Sequence, residues 1–146
     1  MTATIDSVGV IGGGAWGTAL AQTLRLAGRD VVLWAREQET VEEINARHVN
    51  SLYLPGVALD HGLRATSDLG DIAARDAVLM VAPAQHVRGV ARQLKDLMRP
   101  GQPLVNCAKG IEQASGRLLG EILAEVLPDA RRAVLSGPSV AAEVAR

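Results

Sequence analysis

The chain has 146 residues, 48% of them hydrophobic, and a formal net charge of −1 with acids and bases interleaved. That length suits a single domain with its own core, and that balance excludes both a disordered chain and a surface built for nucleic acid. A lone cysteine, Cys107, excludes an internal disulfide and argues against a cysteine-based metal site, so a reducing, cytoplasmic setting is the expectation.

The longest apolar run, "AVLMVAPA" from Ala77 to Ala84, is too short to span a bilayer. The opening "MTATID" has no basic segment followed by an apolar one, so it does not read as a signal peptide. With no phenylalanine and one tyrosine, the core must rest on Val, Leu, Ile and Ala.

The first predicted strand is "SVGVIG" (Ser7–Gly12), and a helix from Ala15 to Ala27 follows, closed by Gly28 as its C-cap glycine. A second strand, Asp30–Ala35, leads to a helix over Glu37–His48 with Val41 and Ile44 on one face. Leu63–Thr66 reads as a strand, Asp68–Ala74 as a short helix and Ala77–Ala82 as the next strand. Val87, Val90, Ala91, Leu94 and Leu97 recur at helical spacing within Gln85–Met98. Pro103–Ala108 is the fifth strand, Leu118–Leu127 a helix and Arg132–Gly137 the sixth strand. "GPSVAAEVAR" then begins another helix, and the chain stops inside that pattern; a cut between domains or an artificial boundary explains this better than a natural terminus, which stays open. Most of the strands are too continuously apolar to be half exposed, the mark of parallel strands covered on both faces. Strand and helix alternate throughout. The expected fold is therefore α/β, a doubly wound, Rossmann-type parallel sheet in a single domain spanning residues 1–146.

Gly12-x-Gly14-x-x-Gly17 lies between the first strand and the first helix. In that setting the first glycine makes the tight turn, the second lets the backbone approach a pyrophosphate, and the third lets helix and strand pack closely. The helix N-terminus offers free N–H groups to the phosphates. A dinucleotide is thus the expected ligand. Two roles stand for Trp16: a packing residue of the first helical turn, or a flat apolar surface beside the dinucleotide.

An NAD-selective fold carries an Asp or Glu about 20 residues beyond the glycines. Here "VVLWAR" places Trp34, Ala35 and Arg36 in that neighbourhood, so a guanidinium replaces the carboxylate. Arg36 is either a solvated residue at a helix start or the partner of the 2′-phosphate of NADP. Glu37 keeps NAD use open.

Further unusual residues gather where other strands end: Pro83 to His86, Lys109-Gly110 and Gly137-Pro138-Ser139. Lys109 is either a loop lysine or an ammonium that holds a phosphate or polarises a hydroxyl or carbonyl. Ser139 reads as an N-cap, a geometry that also serves an anionic substrate, with Gly137 allowing close approach. His86 reads as a helix start, His48 and His61 as surface residues, and Cys107 as a buried strand residue. No constellation of metal ligands or nucleophile and base stands out.

"GGGAWGTALA", "LWAR", "INARHVNSLYLPGVAL", "NCAKGIE" and "LSGPSVAAEVA" together, in this order, resemble the N-terminal domain of bacterial NAD(P)-dependent glycerol-3-phosphate dehydrogenase, over nearly the whole chain. The resemblance implies reversible reduction of dihydroxyacetone phosphate to sn-glycerol 3-phosphate, feeding phospholipid synthesis, with NADP or NAD as cofactor. Beside Gly12, Gly14 and Gly17 of the glycine turn, it implies that Ala15, Trp16, Arg36, Lys109 and Ala141 contact the cofactor, and that Lys109, Gly137 and Ser139 contact the phosphorylated substrate. Some relatives have serine in place of Ala15; a backbone contact survives that change and a hydroxyl contact does not. The family's catalytic lysine belongs to a helical C-terminal domain that these residues do not include, so no catalytic residue is assigned and little turnover is expected from this polypeptide alone. A homodimer is compatible with the two-domain parent, and "NSLYLPG" matches a family loop without giving Tyr53 a role. Two rivals remain at this stage: a two-domain reductase for another hydroxy acid or sugar acid, and a non-catalytic dinucleotide sensor complete at this length. Exposed apolar surface on the sixth strand would argue against the sensor.

The Arg36 reading has a direct consequence. A charge-assisted hydrogen bond is worth about 1.5–3 kcal/mol, so Arg36→Ala should weaken NADPH binding about 10–100-fold and leave NADH binding nearly unchanged. Separate titrations with the two cofactors measure this, and equal losses for both would contradict it.

Overall fold

The computed structural model describes residues 4–137 and 139–146. Six strands form one fully parallel sheet: β1 (Ser7–Ile11), β2 (Asp30–Trp34), β3 (Arg64–Thr66), β4 (Ala77–Met80), β5 (Pro103–Asn106) and β6 (Arg131–Val134). Their order across the sheet is β3-β2-β1-β4-β5-β6, so the chain reverses direction across the sheet between β1 and β4. This is the Rossmann-type doubly wound arrangement that the alternation of strands and helices predicts.

The two-residue period of the strands divides the core in two. Val8 and Val10 of β1, Val31 and Leu33 of β2 and Leu79 of β4 face a layer made by α1 (Ala15–Leu26), α2 (Gln38–Arg47) and the terminal α6 (Ala141–Val144). Ile11, Val32, Val78, Met80 and Leu104 face the opposite layer, made by α3 (Leu69–Ala73), α4 (Val87–Leu94) and α5 (Leu119–Val126). The central strands are buried on both sides, as their continuous apolar sequences require. Gly9 lets α3 sit flush on β1, since a Cβ there would fall 2.6 Å from Ile72 Cγ2 and 2.9 Å from the Ile72 carbonyl oxygen.

Four expectations need correction. β6 is exposed along its whole length rather than covered on both faces, with Val134 68% and Leu135 45% accessible, because no described helix packs across it fully. The helix expected over Gln85–Met98 is divided. A 3-10 turn over Ala84–His86 follows Pro83, and the regular helix stops at Leu94, where the Leu97 and Met98 amides both turn back to the Leu94 carbonyl. Leu97 is consequently exposed instead of sharing the buried stripe. Ser139 is not an N-cap: α6 begins at Ala141 behind Val140, with no side-chain cap.

Residues 49–63 form an irregular connection that is nevertheless well packed. Leu54, Val57, Leu59 and Leu63 are buried in the α1 layer. Polar contacts bind the segment to α1: Arg25 pairs with Asp60 at 3.1 Å, Gln22 accepts the Asp60 N–H at 2.8 Å, and Asn50 donates to Thr18 at 2.9 Å. The α2 end that precedes it closes on His48 in the left-handed conformation (φ 57°).

On the other layer, the connection after β5 is clamped by charge. Arg88 of α4 donates Nε and a terminal nitrogen to both carboxylate oxygens of Glu112, at 2.8 and 3.0 Å, and also reaches Glu125 of α5 at 3.2 Å. Ser115 Oγ donates to the same carboxylate at 2.6 Å. The bidentate guanidinium, and after it this hydroxyl, lower the Glu112 carboxyl from its ordinary 4.5 to about 2. A depressed carboxyl adds stability above its unfolded value and forfeits it as pH falls through the folded one, here from about 4.5 towards 2. Glu112→Gln should therefore flatten the decline of melting temperature over that window. Parallel curves for variant and parent would contradict the clamp.

Candidate functional site

Gly12 adopts φ +130°, a backbone region closed to L side chains, and turns the chain over the end of β4, where a Cβ would lie 2.7 Å from the Val81 carbonyl oxygen. A Cβ on Gly17 would overlap the Gly12 carbonyl oxygen, so α1 starts hard against the turn. Gly13 is fixed by packing rather than by a ligand, since a Cβ there would come within 2.6 Å of Ala35 Cβ. Gly14 is different: a Cβ would meet no protein atom within 4 Å. It is the one member of the turn whose missing side chain leaves free space. The first amides of α1, at Ala15, Trp16 and Gly17, precede any intrahelical acceptor and are open to an anion.

This turn forms one wall of a cleft of about 860 Å³ at the carboxyl ends of the strands, where the chain crosses between β1 and β4. Gly12, Gly14, Ala15, Trp16, Gly17, Arg36, Lys109, Ser139 and Ala141 all line it, drawn from four separate stretches of the sequence. Gly137 does not line it, but its carbonyl accepts a hydrogen bond from Lys109 Nζ at 3.2 Å. Pro138 lies outside the described residues. The space left by Gly14, the open amides and the two cations suit a phosphate-bearing dinucleotide in size and charge.

Trp16 packs on the apolar cluster of the α1 layer, against which Ala141 and Val144 of α6 also pack, and it lines the cleft. Lys109 Nζ stands 5.4 Å from the ring centroid, within cation–π range. Lys109 is thus anchored by the Trp16 face and the Gly137 carbonyl while remaining exposed to the cleft.

The Lys109 turn is itself held from the 3-10 turn that enters α4. Gln85 donates to the Ile111 carbonyl at 3.0 Å and accepts from the Gln113 N–H at 2.9 Å, next to the Arg88–Glu112 pair. Cys107 also reaches the cleft, but burial pushes its thiol up to about 11, which leaves it neutral and unreactive near pH 7. Among the described residues no group of three or more His, Cys, Asp or Glu is placed to hold a metal ion.

At the far end, Arg36, Glu37, Trp34 and Tyr53 enclose the cleft from the β2 side. Trp34 is locked by its indole N–H on the Ser67 carbonyl at 3.0 Å, and the Tyr53 hydroxyl stands 3.5 Å from the Glu37 carboxylate. His86, Gly89 and Gln93 present one side of α4 and its entry turn to the same space. Sequence reasoning missed Gly89 and Gln93. Their signal is a polar and glycine stripe at helical spacing opposite Val87, Val90, Ala91 and Leu94. His48 and His61 lie away from the cleft and stack on each other, ring centroids 4.2 Å apart.

Comparison with known proteins agrees with this architecture. A family model described as NAD-dependent glycerol-3-phosphate dehydrogenase N-terminus matches residues 7–146. The chain is 58% identical, over its full length, to glycerol-3-phosphate dehydrogenase [NAD(P)+] of Parvibaculum lavamentivorans, of which it covers 44%. It is 62% identical to the enzyme of the same name from Paramagnetospirillum magneticum, with 97% of this chain and 52% of that protein aligned. The crystal structure of glycerol-3-phosphate dehydrogenase from Coxiella burnetii superposes with a TM-score of 0.89 at 36% identity, covering 97% of this chain and 43% of that one. The chain therefore spans about half the length of the curated relatives it matches. It belongs to the NAD(P)-dependent glycerol-3-phosphate dehydrogenase family, of which it represents the N-terminal, NAD-binding part.

Proposed function

We propose that residues 1–146 are the cofactor-holding domain of an NAD(P)-dependent glycerol-3-phosphate dehydrogenase, acting in phospholipid synthesis in the cytoplasm, with the catalytic lysine in a separate C-terminal domain. The observation that carries the reading is the free space at Gly14, bordered by glycines whose own missing side chains are explained by packing. A pyrophosphate fits there, on the amides of Ala15, Trp16 and Gly17, with Gly12 setting the turn. Arg36 would take the adenosine 2′-phosphate of NADP, and Glu37 beside it is compatible with NAD. Ala141 would complete the wall next to Trp16.

When bound, the nicotinamide supplies hydride exchange with the carbinol carbon of glycerol 3-phosphate. This chain's own residues bind and orient. Lys109 offers an ammonium, already aimed by Trp16 and the Gly137 carbonyl, to an oxygen of the phosphorylated substrate. Ser139 and Gly137 would contact the same substrate. The exposed Val134, Leu135 and Val140 provide an apolar surface that suits cover by a second domain and weighs against the complete-sensor alternative. A homodimer of the two-domain enzyme is compatible with this arrangement.

Gly14→Thr tests the reading without disturbing the fold, since threonine is a competent N-cap and its Cβ would meet no protein atom. Calorimetric titration should show the parent binding NADPH and NADH and the variant weakened at least about tenfold for both, with little change in melting temperature. Unchanged affinity in the variant would overturn the assignment of the turn.

A further inference from the structure

The segment Asn50–Gly56 has a buried polar anchor whose partners lie far away in sequence. Asn50 is 2% exposed, yet its side-chain amide makes three hydrogen bonds. Nδ2 donates to the Gly13 carbonyl and to Thr18 Oγ1, both at 2.9 Å, and Oδ1 accepts the Tyr53 N–H at 3.2 Å. The Thr18 hydroxyl also points to the Gly13 carbonyl, at 3.4 Å. No backbone N–H among the described residues bonds that carbonyl, so Asn50 is its principal partner.

The geometry of the peptide unit gives this contact a consequence. In a planar trans peptide the carbonyl of one residue and the N–H of the next point in opposite directions. The Gly13 carbonyl is drawn inward to buried Asn50, so the Gly14 N–H is turned outward, on the side where Gly14 borders the cleft. Ala35 packs closely against Gly13, leaving no room for a Cβ there.

We infer that Asn50 is a positioning residue of the anion site: its hold on the Gly13 carbonyl aims the Gly14 N–H at a pyrophosphate oxygen. The inference rests on reading the glycine turn as a pyrophosphate site. The same side chain, through the Tyr53 N–H, fixes the segment that lines the cleft beside Arg36 and Glu37. One buried amide thus ties the phosphate cradle to the adenosine-side wall. The pyrophosphate is common to both cofactors, so losing this anchor weakens NADPH and NADH by the same factor, unlike the loss of Arg36.

The test uses the full 146-residue chain and two variants, Asn50→Ala and Thr18→Val. Two readouts are taken: calorimetric affinity for each cofactor, and the Gly14 amide resonance and its hydrogen exchange without any cofactor. Asn50→Ala should move the Gly14 resonance, speed its exchange relative to the β4 and β5 amides, and raise both dissociation constants about tenfold. Thr18→Val should act in the same direction and less strongly, and it decides the matter should Asn50→Ala fold poorly. A Gly14 amide with unaltered shift and exchange, or cofactor affinities unchanged within about twofold, would overturn the inference. If the parent binds neither cofactor, the reading of the turn fails by itself, and the Gly14 amide still reports whether Asn50 orients it.

Discussion

The arrangement of the sheet edge depends on one close approach, that of Gly17 to the carbonyl oxygen of Gly12, where no Cβ has room. The approach lets α1 rise directly from β1, so its unpaired amides open at the carboxyl edge of the sheet instead of against protein. The reversal of strand order beside β1 keeps that edge clear, because the connections from β1 and β4 leave on opposite layers. A cleft bordered by helix amides and two cations follows from the chain path. Its ligand chemistry is then set by a few side chains on the rim.

Those rim side chains stand on clamps that are themselves polar and partly buried. Arg88 and Glu112, with Gln85, hold the turn that carries Lys109, and Asn50 with Thr18 holds the turn that carries Gly14. The Arg88–Glu112 pair stabilises the fold while Glu112 is ionised, and it also holds the turn in one geometry. The apolar layers contribute most of the stability, and the polar clamps give the binding edge its shape. Trp16 joins the two, with its ring on the apolar layer and the Lys109 ammonium over it.

Most of the framework is legible in the sequence because the physics behind it is local. Continuous apolar strands, helix-period segments and glycines at a strand–helix junction each report on their own neighbours, and all six strands and the helices between them follow from that. Gly28, with φ +83° just beyond α1, is the stop that the sequence implies. What could not be read depends on distant partners. Leu54, Val57, Leu59 and Leu63 have no regular spacing, so their burial against α1 leaves no periodic trace. Asn50 looks like a turn residue until Gly13 is brought beside it. The apolar pattern of β6 calls for cover that no described helix fully provides, and the Ser139 cap failed because α6 begins two residues later. The separate packing reason for Gly13 is visible only with Ala35 in place.

The central claim is that this sheet edge is a preformed dinucleotide site, and intrinsic tryptophan fluorescence tests it most directly. Trp16 and Trp34 are the only tryptophans, and both line the cleft. Titration of the unmodified chain with NADPH and, separately, NADH should quench this emission saturably, more tightly for NADPH. Emission unchanged by either cofactor would contradict a cofactor site already formed within these 146 residues.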